Sequence, residues 1–386
     1  MPNHDRYPPI PYAPNVEQPA EDEQETIAGL IKALTSIADT TFRDYGAGIR
    51  SVHAKCHGLV LGELRVEEGL DAQLAQGLFA RPRRYPVVVR FSTSPGDPIH
   101  DNVSLPRAMA IKVIGVEGER VSSGSSDVTQ DFVMVNGPVF LKPTAKAFLK
   151  NLALLAKTTD RAEGAKKALS AVLRGTEKAL EALGGESSTI KALGGQPRTH
   201  LLGETFFTQV PLRFGEYIAK CSLAPVSDAL RKLTDVELPA DDNPFQLRDA
   251  TSAYFAGNGA EWELRAQLCV DLEQMPIEDA SALWSEEHSP YRTVARLYVP
   301  RQSSWMGEVS EELERRLSFS PWHALQSHQP LGSVMRARRQ VYAVMAEQRA
   351  ARNGVSIAEP SSLADLRWLD APLVKSLEDR ISAQDP

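Results

Sequence analysis

Cysteine is scarce, with only Cys56, Cys221 and Cys269 in 386 residues. The three lie far apart and share no metal-ligand spacing, so neither a disulfide framework nor a zinc ribbon is supported. Long apolar runs are missing too: no stretch approaches the roughly 20 residues that a membrane-spanning helix needs. Positive charge is not in excess. The formal net charge is −7, which argues against a general attraction to nucleic acid or to an anionic membrane surface. The opening run MPNHDRYPPIPYAPNVEQPAEDEQE has no basic start with an apolar stretch behind it, so it does not read as a signal peptide. A soluble, reducing, cytoplasmic setting is the expectation.

What is present can fill a sizeable core, since 42% of the chain is hydrophobic. Residues 1–24 are rich in proline and acid and read as an extended arm. Ile27, Leu30, Ile31, Leu34 and Ile37 fall on one helical face and predict a packed surface helix over 25–40. From 49 to 140 the pattern turns to strands: VVVRFS, AMAIKVIGV and DFVMVNGPVF, parted by turn clusters such as TSPGDP. Residues 144–183 are rich in Ala, Leu and Lys and close on Gly184 and Gly185. The region 144–200 therefore reads as a helical insertion or lid.

Strand signals return in ETFFTQVPLRF, YIAKCSLAPV, WELRAQLCVDLEQ and TVARLYVPR. In the third, Leu264, Ala266, Leu268 and Val270 share one face and Arg265, Gln267 and Cys269 the other, as in an antiparallel barrel strand with one core face. The segments 308–317, 333–353 and 361–381 are helical in pattern. The whole predicts one α+β domain over 25–386, strands in the middle and helices at the end.

Several polar residues stand where apolar ones are expected. His53 lies in a short strand-like segment between Val52 and Ala54, and a lone histidine there is ordinarily structural. Arg90 and Ser92 share a face of an otherwise hydrophobic strand, so Arg90 needs an anion, either a structural ion-pair partner or a ligand. Asn136 ends an apolar strand before Gly and Pro and can simply form a turn. Singly, none decides a function.

Together they form a pattern. VHAKC at 52–56, VRFST at 89–93, LPRAMAIK at 105–112 and VNGPVF at 135–140 resemble, in order and spacing, the haem-binding core of catalases, which carries VHAKG, VRFST, DPRGFAVKF and NNTPVFF. The likeness continues through MPIEDASALWSEEHSPYRTVARLYVPRQ at 275–302 and LSFSPWHALQSHQPLG at 317–332, so it spans about 50–353. It is closest to the short catalase-related peroxidases. The resemblance implies an antiparallel β-barrel with surrounding and C-terminal helices, the last part (303–386) carrying the proximal ligand of a haem b. It casts His53 as the distal histidine, Asn136 as the distal asparagine and Ser92 as the hydroxyl that bonds the histidine. Arg50, Arg90 and Arg349 become propionate partners, and Phe148 an aromatic near the haem plane.

For the iron ligand the resemblance implies Tyr342, with Arg338 four residues before it and Arg349 seven after, at helical offsets that share one face. An ordinary exposed Arg/Tyr helix has the same composition. His323 is a rival if LSFSPWHALQSHQPLG is counted back from its Pro-Leu-Gly, but Phe319-Ser320-Pro321 matches an earlier family motif and favours Tyr342. A free phenol titrates near ~10, so iron(III) and a guanidinium must stabilise its anion. The implied activity is a peroxidase or weak catalase acting on hydrogen peroxide or organic peroxides through a ferryl state, with an organic reductant. Two alternatives remain: a fatty-acid hydroperoxide isomerase or epoxyalcohol-forming enzyme, and a haem-binding protein without turnover. Relatives that form allene oxides carry Thr before the distal histidine, where this chain has Val52. Cys56, Leu105 and Ala108 depart from the family's Gly, Asp and Gly, which bears on channel shape and substrate. Assembly into a homo-oligomer is left open.

Overall fold

Most strands of this chain are covered on both faces, which is why their sequences read as near-continuous apolar runs. The computed structural model describes residues 7–122, 127–156, 197–239, 242–357, 359–366 and 371–382. Its strands are β1 (Lys55–Val66), β2 (Arg84–Thr93), β3 (Arg107–Ile114), β4 (Thr129–Asn136), β5 (Phe206–Phe207), β6 (Leu212–Phe214), β7 (Tyr217–Pro225), β8 (Ala260–Leu268) and β9 (Arg292–Val299). All pair antiparallel in the order β5-β4-β3-β2-β1-β9-β8-β7-β6, and β5 also pairs with β7. That last pairing closes an eight-stranded barrel, with β6 hanging on β7 as a hairpin. Closure removes the exposed edges that an open sheet would leave.

Alternation sorts the side chains. Val87, Val89 and Phe91 of β2, Met109 and Ile111 of β3, and Phe132 and Met134 of β4 fill the barrel with Trp262 and Leu264 of β8. The intervening Leu59, Leu61, Val88, Ala110 and Ile114 point outward. They are buried beneath helices α5 (Glu308–Arg316) and α7 (Ala371–Ser382), which offer Leu313 and then Val374 and Leu377. Strand β8 keeps the predicted alternation through Arg265, with Glu261, Glu263 and Arg265 half-buried, but Gln267 and Cys269 on that second face are buried as well.

The predicted first helix is α1 (Glu23–Tyr45), its buried side Ile27, Leu30, Leu34 and Ile37. It packs with α2 (Ala145–Ala156) and α6 (Ser333–Asn353) through Ala145, Leu152, Ala337 and Val341. Two helices were not anticipated from the pattern, α3 (Asp228–Arg231) and α4 (Gln246–Gly257). The longest strand, β1, was not singled out either. Most of the predicted helical insertion, 157–196, lies outside the described residues. From residue 7 the arm is extended as expected, and the Ile10 amide donates to the Cys269 carbonyl along the barrel (2.8 Å).

Two ionic knots tie distant segments together, one between helices and one on the barrel wall. Arg336, in the first turns of α6, donates to Glu17, Glu23 and Glu278 at 2.6–3.1 Å and so sets the position of that helix. On the outer face of β3 and β4, Lys112 Nζ meets both carboxylate oxygens of Asp131 at 2.9 Å. His323 joins this knot through Nδ1, 3.0 Å from Asp131 Oδ2. The residue that rivalled Tyr342 as an iron ligand is thus engaged in a buried ion network. No helix among the described residues is long and apolar enough to cross a membrane.

Candidate functional site

Residues 51–54 link α1 to β1 and carry the first site residue. His53 is not in a strand, contrary to expectation. Its φ is +52°, a left-handed conformation that a non-glycine residue holds only when its surroundings impose it. The surroundings here are specific. Arg90 Nη2 donates to the His53 carbonyl (2.9 Å), and the Ala54 amide donates to the carbonyl of Pro95 (3.0 Å). The 94–97 turn comes so close that a Cβ on Gly96 would sit 2.0 Å from the Ser51 carbonyl oxygen.

The His53 ring is half-buried, and its Nδ1 is sealed from solvent without a hydrogen-bond partner among the described residues. Burial first, then the charges of Arg90 and Arg338, lower its pKa to about 3. The imidazole is therefore neutral at physiological pH. The expected hydrogen bond to Ser92 is not formed. Ser92 is buried on the outer face of β2, opposite Cys56 across the β1–β2 ladder.

Arg50, Arg90 and Arg349 come from the segment before β1, from β2 and from α6, and they converge on the end of α5. Arg90 takes both oxygens of Glu314, Nε to Oε1 at 2.7 Å and Nη2 to Oε2 at 2.9 Å. Arg50 Nη1 donates to Oε2 at 2.6 Å. Arg349 grips the carbonyls of Glu314, Arg315 and Leu317 at 2.6, 2.6 and 2.9 Å. Burial alone would raise the Glu314 pKa; the guanidiniums of Arg50 and Arg90 outweigh it and hold the carboxyl at about 2.

Helix α6 carries Arg338, Tyr342 and Arg349 at offsets of four and seven, which place all three on one face. Tyr342 is half-buried, and its hydroxyl has no hydrogen-bond partner among the described residues. Arg338 lies over the Phe140 ring, 5.4 Å from its centroid, and touches Met335 Sδ. Phe140 in turn packs against Phe148 of α2 with ring centroids 5.1 Å apart. Asn136, at the end of β4, accepts a hydrogen bond from the Arg107 amide through Oδ1 (2.8 Å). Its amide nitrogen is left without a partner among the described residues.

Two residues escaped the sequence reading. His57 is the extra residue of a β-bulge, since Cys56 pairs with Ser92 and Gly58 with Phe91. It is fully buried, with Nε2 2.9 Å from Thr93 Oγ1 and Nδ1 unpartnered. The other is Glu314. Its signal was present, an acid in the last turn of a helix where cations are favoured.

These groups dictate an acid sensitivity. Burial lowers the pKa of His53 to about 3 and of His200 and His328 to about 4, and it also lowers His57. In the unfolded chain each titrates near ~6.5. Below that value the unfolded chain binds protons that the folded one refuses, so stability falls as pH drops from about 6.5 toward 3–4. Glu314, depressed from 4.5 to about 2, adds a second loss across that lower range. Urea midpoints measured at pH 7.5, 6 and 5 are expected to fall stepwise; a flat series would contradict neutral buried imidazoles.

The donor set fits an iron porphyrin in kind. Glu314 shows that the arginine cluster seats a carboxylate in a bidentate fork, the geometry a propionate needs. A neutral imidazole with an orphaned nitrogen, and a phenol flanked by arginines on one helix face, supply the other two elements. No protein-family model matches the chain, and no curated protein matches it. Its structure is similar to that of a fungal catalase, with TM-score 0.55 and 18% identity over 82% of this chain and 61% of that one. It is similar also to catalase A from Saccharomyces cerevisiae, with TM-score 0.55 and 17% identity over 80% and 63%. The chain spans less than two thirds of the length of these two proteins. Its fold is catalase-like.

Proposed function

We propose that the chain is a haem-dependent peroxidase or weak catalase that decomposes hydrogen peroxide or organic peroxides, with a small organic reductant, in the cytoplasm. One observation carries the reading: a neutral, sealed and unpartnered imidazole stands beside an arginine cluster built to seat carboxylates. Haem b would be held by Tyr342 with Arg338 at its iron, by Arg50, Arg90 and Arg349 at its propionates, and by Phe148 alongside the ring. When bound, it supplies an iron centre that accepts the oxidising equivalents of a peroxide.

The rest falls to the chain's own side chains. The His53 imidazole takes the proton of one peroxide oxygen and returns it to the other, a relay that typically contributes about 10²–10⁴-fold. Its neutrality is what lets it begin as a base, and burial, followed by the charges of Arg90 and Arg338, enforces that neutrality. The free amide nitrogen of Asn136 donates to a peroxide oxygen and orients it.

Titration with haem b, followed by absorption, tests the cofactor; a high-spin ferric, phenolate-ligated spectrum is expected. Oxygen release from hydrogen peroxide is then compared with loss of the diene absorbance of a fatty-acid hydroperoxide. Oxygen release or peroxide-driven oxidation of a reductant supports the proposal. Diene loss alone shifts it to a hydroperoxide isomerase, and haem bound with both signals at background leaves a haem-binding protein without turnover.

A further inference from the structure

Glu314 stands two residues from the end of α5, where exposed carbonyls make the potential negative and favour cations. Arg315 and Arg316 suit that position; Glu314 does not. It turns inward instead, its side chain only 15% exposed, because Arg50 and Arg90 reach it from two other elements. Arg349 holds backbone carbonyls of the same helix end, so three positive charges gather around one carboxylate, which leaves two unbalanced where water is largely excluded. A haem carries two propionates.

We propose that Glu314 is a built-in competitor for those propionates: it closes the arginine cluster in the haem-free chain, and haem enters by displacing it together with the end of α5. This rests on the haem reading above. Displacement is favoured over simple addition by where the free edges lie. Arg90 and Arg349 are 3% and 4% exposed and offer no outward face. The members with a route to solvent are Arg50 and Glu314, at 16% and 15%. Apart from these arginine contacts helix α5 packs sparsely, with Ser310 and Leu313 its only buried residues. Exchanging one carboxylate for two brings the cluster from three against one to three against two, closer to balance.

The competitor makes the empty chain stable at the expense of haem affinity. The test compares the full chain with Glu314→Gln, which keeps shape and removes the charge. Haem b is titrated into both, read by the absorption band and by quenching of tryptophan fluorescence. The variant is expected to bind haem about tenfold or more tightly than the wild type, the scale of lost charge-assisted hydrogen bonds. Equal or weaker binding by the variant overturns the competitor role while leaving the haem reading intact. Binding by neither protein overturns the haem reading and this inference with it. Should Glu314→Gln fail to fold by circular dichroism, hydrogen exchange in the wild type decides. Haem addition is expected to speed amide exchange over 311–317, and unchanged or slowed exchange there overturns the proposal.

Discussion

Tyr342→Phe is expected to fold as the wild type does and to lose haem, with the pigment falling to background after gel filtration. The argument starts from α6. Arg336 fixes the register of this helix by gripping Glu17, Glu23 and Glu278, and none of those contacts involves Tyr342. Packing against α1 and α2 falls to Ala337 and Val341. The Tyr342 hydroxyl meets no protein group among the described residues, so removing it breaks no hydrogen bond and should move stability by no more than about 0.5 kcal/mol. Everything the hydroxyl does therefore lies in what it binds. It is the one ligand proposed for the iron, and phenylalanine has no replacement for it. Haem per chain and the position of the absorption band are the measurements. A variant with an unchanged spectrum would mean that a different side chain holds the metal.

Much of the fold was legible because strand and helix periods are strong along this chain. VVVRFS, AMAIKVIGV and DFVMVN became β2, β3 and β4, and the five apolar positions of 25–40 became one side of α1. What misled was local geometry without a period. Val52-His53-Ala54 reads as strand by composition, yet His53 is left-handed because Arg90 and the Pro95 turn hold its backbone there. Strand β1 was passed over because its bulge at His57 interrupts the alternation that marks a strand. Helix α4 is a short amphipathic segment whose buried side is only Leu247, Thr251, Tyr254 and Phe255, too sparse to stand out.

The candidate site divides along the same line. The pattern singled out Arg90 and the resemblance to catalases added Arg50 and Arg349, and the fold does bring these three to one place from distant parts of the chain. That a carboxylate of the chain would meet them there was overlooked: Glu314, an acid in the last turn of a helix, is masked by a run of charges, EELERR, that looks like an exposed helix end. Nor could the gap between Ser92 and His53 be foreseen. It depends on the left-handed turn, which decides where the imidazole points.

That turn also governs how the second large effect must be tested. His53→Asn is the informative replacement, since asparagine tolerates the left-handed backbone far better than most residues and keeps a polar group of similar reach. The Arg90 bond to the residue-53 carbonyl and the Ala54 bond to Pro95 are made by backbone atoms and survive the change. Haem uptake is therefore expected to match the wild type, because neither the arginine cluster nor Tyr342 is touched. Turnover of hydrogen peroxide is expected to fall by about 10²–10⁴-fold, since an amide cannot accept a proton at neutral pH and hand it on. Alanine at the same position should lose as much activity and some stability besides, because it fits the left-handed region poorly. The pair separates chemistry from folding: equal loss of turnover in both, with haem retained in both, assigns the effect to the imidazole. If His53→Asn keeps wild-type turnover, the proton relay belongs to another group, and the fully buried His57, with an orphaned nitrogen of its own, is the next to replace.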